Sequence, residues 1–572
     1  MTRHEHKLAL VAGLLTTLAA CGGGGGGGGA ADTPAASAPP PPAAGPATPS
    51  AQASATLVAP APGKFPWNIE TAMSVTMKDP QGAAIASVTC QSADLALATV
   101  AADCSKVTLK RLGAQSIVVS GGTFTATLAL QGVPQRHWSG NHGVASSFGN
   151  GNYSLLALAD GTAMSWGANG FGLLGQGKDL TATAPNVALT NSSIPLSVLD
   201  AAGTANLNQI YQVSAGNLNA FALSEEGNVW GWGRNSTCNL AQTACGNSVL
   251  LPVRVRNAAN NGALANVVQV EAGDGNQTAL LDNGTVMTWG NWHGQGDIAQ
   301  KNFPGLVKTP DGSTALGDIV AISAGSSFSL GLSKDGKVYA WGYETSRGTL
   351  GSGAVFTTPN PLPNVVKKQD GTDLTGIVSI SAGYNFSLAL SADGSVWAWG
   401  DNARGQLGQN TLVSNGVPYA LQVKAPAGQA GLFANIAMVS AGGNHALAMD
   451  KAGNVYAWGV ANNGELGDGA NRPAGNDSSL PRAVVSPQGA TALTGAVSIA
   501  ASYTGSSALM ADGKLLMWGS NFRGALGRGD TVNSSGLWVN SPVPAPVVAN
   551  AALAALTVSS LASYPNLKRI SR

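Results

Sequence analysis

Charged side chains make up only 10% of the 572 residues, and 30 Lys and Arg against 29 Asp and Glu leave a formal net charge of +1. A chain this close to neutral has no overall field with which to hold nucleic acid through counterion release, so no nucleic-acid partner is expected. Histidine is scarcer still, with six residues, of which His4 and His6 fall in the leader. Little is left for acid–base work, and no Walker loop, G-x-S-x-G elbow or zinc-binding helix motif occurs. No catalytic residue, cofactor or metal ion is therefore expected. Apolar runs are short as well: Leu8 to Ala20, behind Arg3 and Lys7, cannot span a bilayer as a helix and reads as an export signal. What is abundant is glycine, 76 residues of it, which disfavours helix and points to an all-β chain of short strands and turns.

Five cysteines are an odd number for an exported chain, and one needs a separate account. Leu18-Ala19-Ala20-Cys21 resembles the bacterial lipobox, in which the cysteine is lipidated and becomes the new N-terminus; a plain secretory signal is the alternative. Acyl chains on Cys21 would hold the protein at a membrane without a transmembrane helix. Gly22 stands where an aspartate would favour inner-membrane retention, so the resemblance implies an outer-membrane lipoprotein, periplasmic or surface-exposed. Cys90 with Cys104 and Cys238 with Cys245 remain as two sequence-local pairs that an oxidising compartment could close. Closing the first loop would stabilise by roughly 3 kcal/mol on the chain-entropy model. Zinc fits less well, since neither pair has close spacing or neighbouring histidines.

Residues 1–20 are thus read as the signal and 21–64 as a disordered tether of Gly, Ala, Pro, Ser and Thr that cannot bury a core. Residues 65–133 change texture. Short β-rich runs follow one another at Met73 to Met77, Ala84 to Cys90, Val107 to Leu109, Ile117 to Val119 and Thr123 to Leu130, the last with Phe124 and Leu128 on one face. Together with Leu97-Ala98-Thr99-Val100 they are similar to bacterial immunoglobulin-like domains, a small β-sandwich that would act as a spacer or in adhesion.

From about residue 135 a phrase ending in Trp-Gly recurs seven times, at Trp166, Trp232, Trp289, Trp341, Trp399, Trp458 and Trp518, with spacings of 66, 57, 52, 58, 59 and 60 residues. Such a period marks a repeat architecture. Five residues before each tryptophan stands a glycine, usually after an acidic or amide residue, as in Asp393-Gly394. This is a hairpin signal, because the turn needs a positive φ that glycine tolerates. A second glycine sixteen before the tryptophan, as at Gly383, marks the opening of the first hairpin strand, with Ser502 in its place in the last repeat. The second strand pairs a bulky face, Trp397 and Trp399, with a small one, Val396 and Ala398. Sheets stacked face to face around an axis suit that pattern.

The Ser-Ala-Gly opening, the Asp-Gly turn, the Trp-Gly and a following Gly-x-Leu-Gly, as in Gly405-Gln406-Leu407-Gly408, together resemble the regulator of chromosome condensation repeat. The resemblance implies a seven-bladed β-propeller over 135–572. The family's usual histidine in the first hairpin strand survives only as His445, which bears on packing more than on activity. A tail strand from Pro542 to Val548, with Ala554 to Ser559, is expected to close the ring by completing the blade begun near Val144.

Several motifs carry less than they spell. Gly170-Phe171-Gly172-Leu173-Leu174-Gly175 lacks the helix that a dinucleotide site needs, and Arg528-Gly529-Asp530 falls out of the repeat consensus. The loops after each Trp-Gly differ while the hairpins repeat, so binding is sought there. Trp292, His293, Tyr343, Arg347, Arg404, Phe522 and Arg523, with the Arg234 to Val249 loop, are the candidate binding residues, being of the types that make interface hot spots. The reading is a monomeric, membrane-anchored, non-enzymatic binding protein that engages a protein or glycan. Exported members of the family include an inhibitor of β-lactamase, which makes enzyme inhibition a sharper form of it. A polysaccharide-acting enzyme in the propeller mouth and a structural envelope spacer stay open.

Overall fold

The computed structural model describes residues 52–59, 64–134, 152–158, 160–178, 191–291, 294–343, 347–355, 360–470, 472–473, 475–529 and 538–548. The export signal, Cys21 and Val144 lie outside those residues, as do Trp292, His293 and the stretch from Ala554 to Ser559. Among the described residues the fold is all-β, broken only by the single 3-10 turns Gly170–Gly172 and Phe522–Gly524.

The N-terminal part builds three small sheets. Ser74–Lys78 lies between Ser54–Ala59 and Ala84–Ile85; Phe124–Val133 lies between Lys64–Pro66 and Gly113–Gly121, with Thr89–Ser92 beyond; Lys106–Leu109 lies between Thr71–Ala72 and Ala98–Val100. Phe65, Met77, Leu109, Ile117 and Val119 fill the core, and Cys90 is bonded to Cys104 with 5.1 Å between their Cα atoms. Two expectations need correction. Ser54–Ala59, assigned to the tether, is a strand, because Ala55 and Leu57 alternate toward this core. Phe124, expected on the buried face, is 36% exposed at the strand's outer end, and burial is complete only at Leu130.

Residues 153–546 form seven antiparallel sheets. The fifth shows the plan: an inner strand Ile377–Ala382, a second Phe386–Ser391, a third Val396–Asn402 and an outer Val413–Gln422. Sheets two to seven have all four strands, and the first has three described ones, Tyr153–Ala157, Ala163–Gly167 and Ser192–Ser197. The seven Asp-Gly-type glycines, from Gly161 to Gly513, hold φ between 77° and 86° in the turn between second and third strands. The glycine sixteen before the tryptophan does not open the second strand; it sits in the turn that ends the inner one, three residues before Phe386 in the case of Gly383. Its reason is proximity: a Cβ on Gly383 would lie 2.5 Å from the Gly442 carbonyl oxygen of the next sheet.

Each tryptophan is fully buried and reaches into the preceding sheet. Trp232 Nε1 donates to the Leu173 carbonyl at 2.9 Å, Trp399 to Thr349 at 3.1 Å, Trp458 to Gln406 at 2.8 Å and Trp518 to Glu465 at 2.9 Å. Trp289 does the same to Asn239 at 2.7 Å. Trp166 of the first sheet donates to Ala525 of the seventh at 2.9 Å, and Leu156, Trp166, Leu515, Leu526 and Val547 share one core. The contacts therefore run around a cycle and close. The tail takes a different part from the one expected: Ser541–Pro546 pairs with the third strand of its own sheet, Met517 opposite Ala545. The strand follows its Leu-Gly turn as in every other sheet, so the neighbouring edge captures it.

In three sheets the first residue of the second strand also bridges to the next sheet. Asn276 donates to the Phe328 carbonyl at 2.9 Å and to Ser329 Oγ at 3.0 Å, Tyr153 to the Asn219 carbonyl at 2.6 Å, and His445 Nε2 meets Ser506 Oγ at 2.9 Å. Burial holds the His445 imidazole down to about 4, so it is neutral in the fold. Because the folded value lies below the ordinary one, its stabilisation is full above pH 6.5 and is lost as pH falls toward 4, a change of about 3 kcal/mol. Urea midpoints at pH 7.5 and 4.5 test this: His445→Asn, mimicking Asn276, should lose less stability on acidification than the wild type. Equal losses would contradict the assignment.

The strand order fixes two faces. Inner-to-second turns and third-to-outer loops emerge at one end of every sheet, the loop face; second-to-third turns emerge at the other, the turn face. The N-terminal domain grips the turn face. Trp67 Nε1 donates to the Asp282 carbonyl at 3.1 Å, Arg111 Nη1 to Asp282 Oδ1 at 2.8 Å and the Leu112 amide to Oδ2 at 3.1 Å, while Lys64 pairs with Glu225 at 2.5 Å. Asp282→Ala leaves that amide and guanidinium without their acceptor. Calorimetry should then resolve two transitions where the wild type melts as one; a single sharp transition would count against the clamp.

Candidate functional site

On the loop face the inner strands converge around the axis. Beyond each glycine, or Ser502, comes a residue that varies from sheet to sheet: Asn217, Asp274, Ser326, Tyr384, Gly443 and Tyr503. They rim a solvent-open depression of about 780 Å³ whose remaining wall is mostly Ala, Gly and Ser. Tyr384 and Tyr503 meet edge to face at 5.2 Å, and they can do so because Gly443 of the sheet between them has no side chain. Burial, then the neighbouring Tyr503 and Asp274, push the Tyr384 hydroxyl up from its usual range, which keeps it a neutral hydrogen-bonding group. Asp274 accepts from Asn217 at 2.5 Å. Glu271, deeper in the wall, takes hydrogen bonds from Gln212 at 3.2 Å, Gln269 at 3.0 Å and Ser214 at 3.4 Å. The arrangement can hold a polar or aromatic group. Among the described residues no group of three or more His, Cys, Asp or Glu side chains is placed to bind a metal.

A second depression lies between the second and third sheets, bordered by Arg234, Thr237, Asn239, Asp274 and Asn291. Cys238 and Cys245 are bonded there, 4.9 Å apart at Cα, so the long loop is stapled beside it.

Around the rim, the residue directly before the first glycine of Gly-x-Leu-Gly, fifth after the tryptophan in the fifth to seventh sheets and sixth in the fourth, faces the next sheet just ahead of its outer strand. A Cβ on Gly405 would touch Ser479, one on Gly464 would touch Pro542, and one on Gly524 would touch Ser193. Arg404 fills this place in the fifth sheet and pairs with Asp477 at 2.8 Å; burial pushes that carboxyl up, more than the guanidinium beside it pulls it down. Asn463 fills it in the sixth and accepts from Asn540 at 3.0 Å. In the fourth, Arg347 pairs with Asp401 at 2.8 Å.

A family model of the RCC1-like domain matches residues 297–564, and models of the regulator of chromosome condensation (RCC1) repeat match 210–238 and 226–280. Residues 210–280 and 297–564 thus carry RCC1-type repeats. Among curated relatives it is similar to the ultraviolet-B receptor UVR8 of Arabidopsis thaliana, 28% identical over 53% of this chain and 62% of the receptor. It is also similar to protein pim1 of Schizosaccharomyces pombe, 29% identical over 58% of this chain and 61% of pim1. The chain thus spans less than two thirds of these relatives' lengths. Among solved structures, Prp20p of Saccharomyces cerevisiae superposes with a TM-score of 0.52 at 23% identity, covering 72% of this chain and 88% of that one. Human WBSCR16 gives 0.52 at 22% identity, covering 68% and 94%. At such identity the likeness speaks for the fold, an RCC1-like β-propeller.

Within the RCC1-like ring the sequence candidates part company. Arg347 and Arg404 tie adjacent sheets together. Tyr343 begins the loop after its Trp-Gly at the rim. Phe522 is 40% exposed, with the Arg523 guanidinium 5.0 Å from its ring centre. Trp292 and His293 lie outside the described residues. The RCC1 repeat also explains Arg528, which donates to the Met517 and Val543 carbonyls of its own sheet. The axial rim was missed. Its signal was in the sequence: the position after the Ser-Ala-Gly-type opening takes five residue types in six repeats.

Proposed function

We propose that the chain is a seven-bladed RCC1-like propeller, preceded by an immunoglobulin-like domain, that binds a protein partner through its loop face and performs no chemistry. One observation carries this reading: the N-terminal domain is clamped to the turn face, at Asp282 and Glu225, which leaves the varied loops and axial rim uncovered. Prp20p, similar in fold, is described as binding Gsp1p and histones, which favours a protein over a glycan. The leader and Leu18-Ala19-Ala20-Cys21 add export and a lipid anchor at the outer membrane to the proposal. An enzyme in the mouth would need a free acid and base, whereas Glu271 there is engaged by three neighbours.

The test compares proteins captured from envelope extracts by the wild type and by the double variant Tyr384→Ala/Tyr503→Ala. The proposal expects a partner retained by the first and lost by the second. Identical profiles would remove the axial mouth from the binding surface.

A further inference from the structure

The rim pairing described above has one mismatch, and it falls where the ring closes. Arg523 occupies in the seventh sheet the place of Arg404 in the fifth, five residues after its tryptophan. The place of Asp477 is taken in the first sheet by Asn191, which likewise stands directly before an outer strand, Ser192–Ser197. The two match in detail: Asn191 Oδ1 accepts from the Asn169 amide at 3.1 Å, as Asp477 Oδ1 accepts from the Ala461 amide at 3.3 Å. Arg404 finds a carboxylate there, and Arg523 finds an amide to which it makes no hydrogen bond. Among the described residues its one contact of this kind is the face of Phe522, and its Nη1 is shielded from water with no acceptor. Its backbone is held at φ 60°, a left-handed conformation that a non-glycine residue adopts at a cost. A guanidinium with no carboxylate among the described residues, stacked on an exposed aromatic ring, is the residue chemistry of an interface anchor.

We propose that Phe522 and Arg523 at the closing seam form a docking point for an acidic segment of a protein partner, whose Asp or Glu supplies the carboxylate that Asn191 does not. The seam between the fifth and sixth sheets shows the ligand that an arginine takes at this position, an Asp at the leading end of an extended segment, which favours a peptide over an acidic polysaccharide. Phe522 adds an apolar surface for the side chain beside that carboxylate. The inference rests on the loop face being the binding face.

The experiment has two arms, run on the full chain. In the first, fluorescence anisotropy at low ionic strength follows a labelled decapeptide of Glu with Leu at every third position. Binding should weaken about tenfold in Arg523→Gln, the scale of a charge-assisted contact. It should weaken similarly in Asn191→Asp, which hands Arg523 an internal carboxylate, and stay unchanged in Lys78→Gln on the N-terminal domain. No peptide binding, equal binding by all four proteins, or preference for oligogalacturonate of equal charge would overturn the proposal. The second arm needs no ligand. Asn191→Asp should raise the melting temperature in the wild type and not in Arg523→Gln; the same change in both backgrounds would show that Arg523 has no unmet demand for a carboxylate, and would overturn the proposal even if the loop face binds a partner elsewhere.

Discussion

Trp166→Ala is expected to destabilise the chain by about 3–5 kcal/mol, the cost of emptying a fully buried indole site. The Ala525 carbonyl loses one of its two donors as well and keeps Ser154 Oγ, a change worth up to about 1 kcal/mol more. The position matters beyond the magnitude. Trp166 joins the first sheet to the seventh, so its loss opens the cycle where two chain ends meet, and the urea transition should broaden as well as shift. Trp399→Ala, inside the ring, should shift the midpoint by a similar amount with less broadening, because its sheets are joined through the chain. Equal slopes for the two variants would mean that closure adds nothing to cooperativity.

Gly383→Ala carries the second large effect. Its new Cβ would lie 2.5 Å from the Gly442 carbonyl oxygen and 2.6 Å from the Phe386 ring, closer than real Cβ contacts come. The carbonyl belongs to the next inner strand and cannot swing aside without moving the axis, so a loss of about 3 kcal/mol is expected in thermal or urea unfolding. Ser502 is the internal control. It holds the same place in the seventh sheet, where a side chain is accommodated and bonds locally to Gly505 at 2.7 Å. Ser502→Gly should cost only about 1 kcal/mol. A Gly383→Ala protein as stable as wild type would remove the close approach as the reason for the constant glycine.

The scaffold was legible because its signals are local. An Asp-Gly turn before a Trp-Gly strand fixes a hairpin without reference to anything distant, and the tryptophan period counts the sheets. The same locality hid the rest. Nothing near Gly383 announces Gly442, fifty-nine residues on, so the glycine was placed at a strand opening instead of at an inter-sheet contact. Arg347 and Arg404 have the chemistry of binding residues, and only the fold brings Asp401 and Asp477 to them. Ser54–Ala59 was absorbed into the tether because its neighbours share the tether's composition; its pairing with Ser74–Lys78 comes from a strand twenty residues away. Tyr384 and Tyr503 are 119 residues apart in the chain, and only the convergence of the inner strands, with Gly443 between them, brings the two rings together.

The central claim is that the loop face binds while the turn face, clamped by the N-terminal domain, does not. The direct measurement is photo-crosslinking in cells that make the protein, with a photoreactive amino acid placed at Tyr503 or Phe522 on the loop face, or at Asp393 or Asp512 in second-to-third turns. The account predicts adducts of one common mass from Tyr503 and Phe522 and none from Asp393 and Asp512. Adducts from the turn positions alone, or equally from all four, would contradict it.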